Sequence, residues 1–469
     1  VKRLAAALAL GSLLAGCAVG PDYRPPALPT GAAAPFLSSR ADTSRPEEPP
    51  NDWWRLYDDV TLDALVKDAL AANTDLRIAD ANLRAARAGL MAVKAGRLPD
   101  TALNGSAIYG RPEISNLLAE DVGAKARADW FDVLEFDSAY QLDLFGRIRR
   151  GIEAARADAE AAEAARDVVR VTVVAGTTGA YADVCALGRS IDVAERSRAL
   201  SERILKATES RHDAGVDTNL DLARARALVA QTAAAVPPLQ GQRRASLFVL
   251  AALLGVAPAR LPPTAEACRT PLALRTLIPV GDGASLLRRR PDLREAERNL
   301  AAATARIGVA ASSLYPSVTL AGSIGLNATS PSNFGEYSSL AWGLGPAVSW
   351  SFPNTIAVRA RIRAAKAGAD AALAGFDGAV VKALSEIEQA LSVYRAELDR
   401  RQDLAAAQAR SAEALRLAGL ERRDGALPYL DLLSAEQALI AADAALAASD
   451  RQLSADQVSV FKALGGGWT

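Results

Sequence analysis

The chain is a duplication, and that limits the folds open to it more than any other feature. Residues 75–109 match residues 292–326 at a constant offset of 217 without gaps, and 13 of the 35 positions are identical. The pairs include Asp75/Asp292, Leu76/Leu293, Arg77/Arg294, Asn82/Asn299, Pro99/Pro316 and Gly105/Gly322; only four are alanine pairs, so alanine abundance does not produce the match. A second match closes each half, where Gly215 and Leu220-Asp221-Leu222 recur as Gly425 and Leu430-Asp431-Leu432. A unit of this length is too long for a solenoid repeat and describes two halves of one symmetric architecture. Each half predicts the same order: a first helix (61–97; 285–313), two strands, a very long helix (148–211; 356–421), a Gly-containing turn and a last helix (218–254; 429–464).

The strands are the most informative segments. In 135–145, Phe136, Tyr140, Leu142 and Leu144 alternate with Glu135, Asp137, Gln141 and Asp143. In 317–327, Val318, Leu320, Ile324 and Leu326 alternate with polar or small residues; in 340–352, Leu340, Trp342, Leu344, Val348, Trp350 and Phe352 do the same, and 101–110 alternates less cleanly. Period-two patterning gives each strand one apolar and one polar face. Segments of ~10 residues suit strands that cross a membrane with lipid on one side and a wet lumen on the other. Four strands cannot close around a lumen, and lipid does not tolerate open sheet edges, so several chains must share one barrel.

The long helices point to water. Ile152, Ala155, Ala159 and Ala162, and Ala180, Val184, Leu187, Ile191 and Ala194, recur at three- and four-residue spacing, a coiled-coil seam of small residues. At 1.5 Å per residue, 148–211 makes a rod of about 100 Å, far longer than a bilayer is thick. Pro237-Pro238 predicts a kink or break in the first half's last helix. Residues 256–284, irregular and containing Pro, and 50–60 are expected to form a belt around the middle of the rod.

Composition narrows the chemistry. With 54 basic and 54 acidic side chains, there is no surplus for a nucleic-acid backbone. One histidine, His212, cannot build an imidazole metal site, and no phosphate loop or nucleophile elbow occurs. No cofactor and no enzymatic activity are expected. Near the N-terminus, Lys2 and Arg3 precede an apolar run over Leu4–Leu14 that ends in Leu14-Ala15-Gly16-Cys17. The run is too short to span a membrane and reads as a signal peptide over 1–16 with a lipobox, leaving Cys17 as the acylated first mature residue. Ala18 follows it, which predicts the outer membrane as the address. Cys185 and Cys268 remain, and their positions leave free thiols and a disulfide both open. The expected organisation is the signal peptide, a lipidated extended segment (17–60), a first repeat (61–255), the irregular segment (256–284), a second repeat (285–464) and a tail (465–469).

Cys17-Ala18-Val19-Gly20-Pro21-Asp22-Tyr23, Asp52-Trp53-Trp54 with Asp59 and Leu62, and Arg290-Pro291-Asp292-Leu293-Arg294-Glu295-Ala296-Glu297 with Gly308, Pro316, Leu320 and Gly322, taken in this order, resemble the TolC superfamily of outer-membrane channels and its NodT-type lipoprotein branch. The resemblance implies a homotrimer, with four strands per chain in one shared β-barrel continued by an α-helical coiled-coil barrel. It implies a passive exit duct for small toxic compounds, served by an inner-membrane pump and a periplasmic adaptor. A type I secretion or metal-efflux duct uses the same fold, and a non-conducting structural envelope lipoprotein is the alternative of a different class. The resemblance also places the periplasmic gate at the start of the last helix. Leu430 matches an apolar ring. Ser434 stands where the family carries an acidic ring, so Asp431 or Glu436 is the candidate acid. Gly215-Val216 and Gly425-Ala426 mark the helix turns where an adaptor docks, with His212 a solvated tip residue.

Overall fold

A computed structural model describes residues 18–111, 128–328, 330–353, 355–424 and 426–466. Cys17 and Gly425 lie outside them. The elements, in chain order, are β1 (Ser44–Arg45), α1 (Val60–Ala72), α2 (Thr74–Ala95), β2 (Asp100–Gly110), β3 (Asp129–Leu142), α3 (Arg147–Asp213), α4 (Asn219–Leu253), α5 (Pro263–Glu266), β4 (Ile278–Pro279), α6 (Gly283–Arg289), α7 (Pro291–Ser312), β5 (Ser317–Ala328), β6 (Leu340–Ser349), α8 (Ile356–Arg423) and α9 (Tyr429–Ala463). They divide between two compact units.

The first unit (Val1–Pro26, Leu83–Ala161, Ala296–Phe376) holds an antiparallel sheet in the order β2-β3-β5-β6. Its register aligns the sequence pattern into rows. Leu103, Phe136, Ile324 and Trp342 lie opposite one another, and Leu134, Leu326 and Leu340 form the neighbouring row of the same face. The other face carries Ala102, Asp137, Ser323 and Gly343, then Asn104, Glu135, Gly325 and Ala341. On it Asn104 donates a 2.8 Å hydrogen bond to Asp137. The apolar face is uncovered: Trp342 is 75% and Leu344 73% exposed. A water-soluble monomer rarely leaves such a patch open. Tyr109 and Trp130 pack at one end of the sheet with ring centroids 5.5 Å apart, and stacked pairs Phe145–Tyr315 (4.6 Å) and Trp350–Phe352 (4.7 Å) mark the other. Two aromatic belts bounding an apolar band are what a membrane strand needs at its two water boundaries. Below the sheet, Ala157, Ala301 and Ala302 pack closely beneath Tyr23, and Arg298–Glu160 and Arg306–Asp158 ion pairs link α7 to α3.

The second unit (Ala27–Asn82, Ala162–Glu295, Asp377–Thr469) has a core centred on Trp53, fully buried and stacked on Phe461 at 4.5 Å. Leu62, Val66, Val174, Val184, Leu250, Ile278 and Ile387 surround it. Residues 44–45 pair in parallel with 278–279. Trp53 and Ile278, from the two segments expected to form a belt, share this core. Asp59 starts α1 by accepting from the Leu62 N–H at 2.9 Å.

Two expectations need correction, and one open alternative is decided. The first helix of each half is two helices, not one. Asn73 turns extended (ψ 133°), its side-chain Oδ1 caps α2 by accepting from the N–H groups of Asp75 and Leu76, and its side-chain Nδ2 donates to the Leu253 carbonyl. In the second half the break falls at Arg290, extended because Pro291 follows. Positions 73 and 290 are related by the repeat offset, so the duplication preserved the break and changed the chemistry that makes it. The second correction is that α4 runs through Pro237 and Pro238 without a break. Both prolines are on its exposed face, where water reaches the carbonyls that lose their N–H partners. The alternative left open by the sequence is decided for a disulfide between Cys185 and Cys268. It ties α3 to the irregular segment, which Arg243 also holds by donating to the Val184 carbonyl at 3.2 Å and the Cys268 carbonyl at 3.0 Å.

Candidate gate at the helix turns

The turn between α3 and α4 is built by glycine and capping chemistry. Gly215 adopts φ +74°, the left-handed conformation that reverses a chain at a helix end. The Val216 N–H reaches back to the Arg211 carbonyl at 2.9 Å, and His212 Nδ1 lies 3.0 Å from the Asp217 carbonyl. Thr218 then starts α4 with a reciprocal capping box to Asp221. The Thr218 hydroxyl bond holds the Asp221 carboxyl below its usual range. The second turn repeats part of this: the Ala426 N–H accepts the same role and bonds to the Glu421 carbonyl at 2.9 Å. Val216 is 60% exposed and Ala426 is also exposed.

The first two turns of α9 have two distinct faces. Tyr429, Leu433 and Glu436, spaced four and three apart, are buried; the first two pack with Ala225, Leu228, Ile204 and Leu205. Leu430, Asp431 and Ser434 share the opposite, exposed face, with Leu430 54% exposed. The candidate set is thereby divided. Glu436 does not share that face: it is 0% exposed and accepts a 2.7 Å bond from the Ser201 hydroxyl of α3. Helical periodicity sets this, because position 436 follows Tyr429 and Leu433 on the inward stripe. Burial pushes its carboxyl pKa up, offset in part by the Ser201 bond.

Arg422 pairs with Asp217 of the first turn. Asp217 has only 4% of its side chain exposed and also faces Arg211 at 3.3 Å. Arg422 further donates to the Leu427 carbonyl at 3.0 Å and lies 5.8 Å over the Tyr429 ring. The two turns of one chain are thus joined by a largely buried ion pair. Sequence reasoning missed Asp217. The signal was in the repeat: at offset 210, Asp217 faces Leu427 and His212 faces Arg422, so each turn carries a charge that its counterpart lacks.

A model of the outer membrane efflux protein family matches residues 65–256 and 284–466. The chain belongs to that family. It is 30% identical to nodulation protein T of Rhizobium leguminosarum bv. trifolii over 91% of this chain and 89% of that one. It is 29% identical to the toluene efflux pump outer membrane protein TtgC of Pseudomonas putida, over 100% and 96% of the two. Among solved structures, the outer-membrane channel OprN superposes with a TM-score of 0.89 at 37% identity, covering 96% of this chain and all of that one. The protein is an outer-membrane efflux channel of mixed helical and β architecture, built from two repeats.

In this efflux channel, the Arg290–Glu297 motif is structural. Arg290, 9% exposed in its side chain, bonds Asp292 at 2.6 Å, Glu386 of α8 at 2.7 Å and the Ala463 carbonyl of α9 at 3.0 Å. It closes the end of α9 against the start of α7. Arg294 continues the pattern by pairing with the buried Asp167 at 2.7 Å.

Proposed function

We propose that three copies of the chain close one β-barrel in the outer membrane and one helical tunnel in the periplasm, and that the tunnel end at the helix turns is the regulated gate. The sheet carries this reading: among the described residues, β2 and β6 are unpaired edges and one face is apolar and uncovered. Threefold closure, β6 of each copy pairing with β2 of the next, removes every edge. Acyl chains on Cys17 anchor the N-terminus and span nothing.

The duct is passive, without cofactor or enzymatic step. An inner-membrane pump delivers small toxic compounds through a periplasmic adaptor that docks at Gly215-Val216 and Gly425-Ala426. The similarity to a toluene efflux pump component supports that cargo class. At the gate, three copies of Leu430 form an apolar constriction that excludes ions by dewetting, with Asp431 and Ser434 on the same exposed face.

The double substitution Leu430→Ala with Asp431→Ala tests the gate. Conductance in planar bilayers should rise, and cells should become sensitive to vancomycin; wild-type conductance with retained resistance would place the constriction elsewhere. Mass spectrometry tests the anchor: Cys17→Ser should remove acylation, and a mature wild-type peptide beginning before residue 17 would rule the lipobox out.

A further inference from the structure

A polar cavity of about 250 Å³ lies in the first unit at the ends of β3, β5 and β6. It is smaller than the ~300–1,000 Å³ typical of drug-sized ligands. Two guanidiniums line it, Arg147 at the start of α3 and Arg361 in the second turn of α8, with the hydroxyls of Ser313, Ser317 and Ser349. Among the described residues, neither arginine forms an ion pair. The one carboxylate in the wall, Asp143, is committed elsewhere: it accepts from the N–H groups of Ile148 at 2.9 Å and Arg149 at 2.8 Å, capping α3. The helix N-terminus is therefore already satisfied, and the free cationic groups are the two side chains.

Two aromatic features border the cavity. Tyr315 stacks on Phe145, and Trp350, held by a 3.1 Å bond to the Leu314 carbonyl, stacks on Phe352. Such rings belong at headgroup depth. A separate observation fixes the same level. The residue after Cys17, Ala18, sits so near Gly146 that a Cβ there would come within 2.6 Å of it, and the Val19 N–H bonds the Phe145 carbonyl at 3.2 Å. Arg150, buried, clamps this segment through the carbonyls of Val19 and Gly20 and a 2.7 Å pair with Asp22. Ala18 thus lies against Gly146, the residue before Arg147, where acyl chains on Cys17 would enter the periplasm-facing leaflet.

We propose that the cavity between Arg147 and Arg361 binds the phosphodiester headgroup of an anionic glycerophospholipid from the periplasm-facing leaflet. This rests on the reading of the strands as membrane-spanning and of Cys17 as the anchor. Paired guanidiniums match phosphate oxygens, the Ser313 and Ser349 hydroxyls supply further donors (that of Ser317 is donated to the Ser349 carbonyl), and the flanking rings meet the acyl–headgroup boundary.

Native mass spectrometry of the trimer in neutral detergent, titrated with phosphatidylglycerol or phosphatidylcholine, tests this. The wild type should prefer phosphatidylglycerol. Arg147→Gln with Arg361→Gln should weaken that binding about tenfold or more, the loss of one charge-assisted hydrogen bond. Arg359→Gln with Arg363→Gln, on α8 outside the cavity, should leave it nearly unchanged. If the first double variant does not assemble, Arg361→Gln alone should show the loss and Arg361→Lys recover part of it. Equal binding by wild type and cavity variants, no preference between the two lipids, or displacement by equimolar inorganic phosphate would each overturn the assignment. Failure to observe a trimer at all would instead refute the barrel reading on which it rests.

Discussion

Replacing Asp217 by Asn removes one charge and almost no volume from the junction of the two helix turns. The carboxylate has 4% of its side chain exposed and Arg422 has 15%, so the variant takes the bonded carboxylate from a largely buried guanidinium and leaves it only the electrostatic influence of Asp221. Removing one partner of a buried pair costs ~3–5 kcal/mol, whereas an exposed pair contributes ~0–1 kcal/mol. Arg211, 34% exposed and 3.3 Å from the same carboxylate, falls nearer the second case. The joined arrangement of the turns should therefore weaken by roughly two to four orders of magnitude per chain in Asp217→Asn, and by less than about tenfold in Arg211→Gln. Single-channel recording in planar bilayers reads this as longer and more frequent open periods, and vancomycin susceptibility reads it in cells. The expected order of effect is Asp217→Asn, then Arg422→Gln, then Arg211→Gln. Unchanged conductance in Asp217→Asn, or a larger effect from Arg211→Gln, would refute the claim that the buried pair holds the turns together.

Leu344→Arg places a charge on the uncovered apolar face and should cost ~2–4 kcal/mol if the residue sits at mid-bilayer depth, seen as lost heat-resistant oligomer on gels. Cys268→Ser opens a crosslink across 83 residues of sequence separation, for which chain-entropy arguments give at most about 4–5 kcal/mol; the thermal midpoint of the oxidised protein should fall, and dithiothreitol should lower the wild type to match. Glu436 is raised by burial, so the folded state binds its proton more tightly than the unfolded state and loses stability as pH climbs through and above the ordinary glutamate range. Glu436→Gln should therefore be more stable than wild type at neutral pH, and the difference should vanish below that range, as measured by thermal midpoints at each pH.

Much of this architecture was legible because two periodicities speak without tertiary context. Alternation in Phe136–Leu144 and Leu340–Phe352 named the strands and their apolar face, and the offset of 217 paired the halves. The same reading failed where one polar side chain outweighs a helical pattern. Asn73 interrupts a run that continues on both sides, and only its capping bonds to Asp75 and Leu76 reveal the break. Pro237 and Pro238 failed in the opposite sense, since their exposed position decides whether the freed carbonyls find water. At the turns, the repeat pairs Leu430 and Asp431 with Leu220 and Asp221, while their part in a gate rests on the family resemblance. The facing of Glu436 depended on the register of its inward stripe. The Asp217–Arg422 pair joins residues 205 apart in sequence, a contact no local pattern encodes.

The central claim is that one chain supplies only part of a membrane barrel. Multi-angle light scattering of the mildly solubilised protein, with the detergent contribution subtracted, measures this directly. The account predicts a protein mass close to three times that of the mature chain; the 469 residues together amount to 49.0 kDa. A stable, folded monomer under the same conditions would contradict it, because the four-stranded sheet would then persist with both edges open.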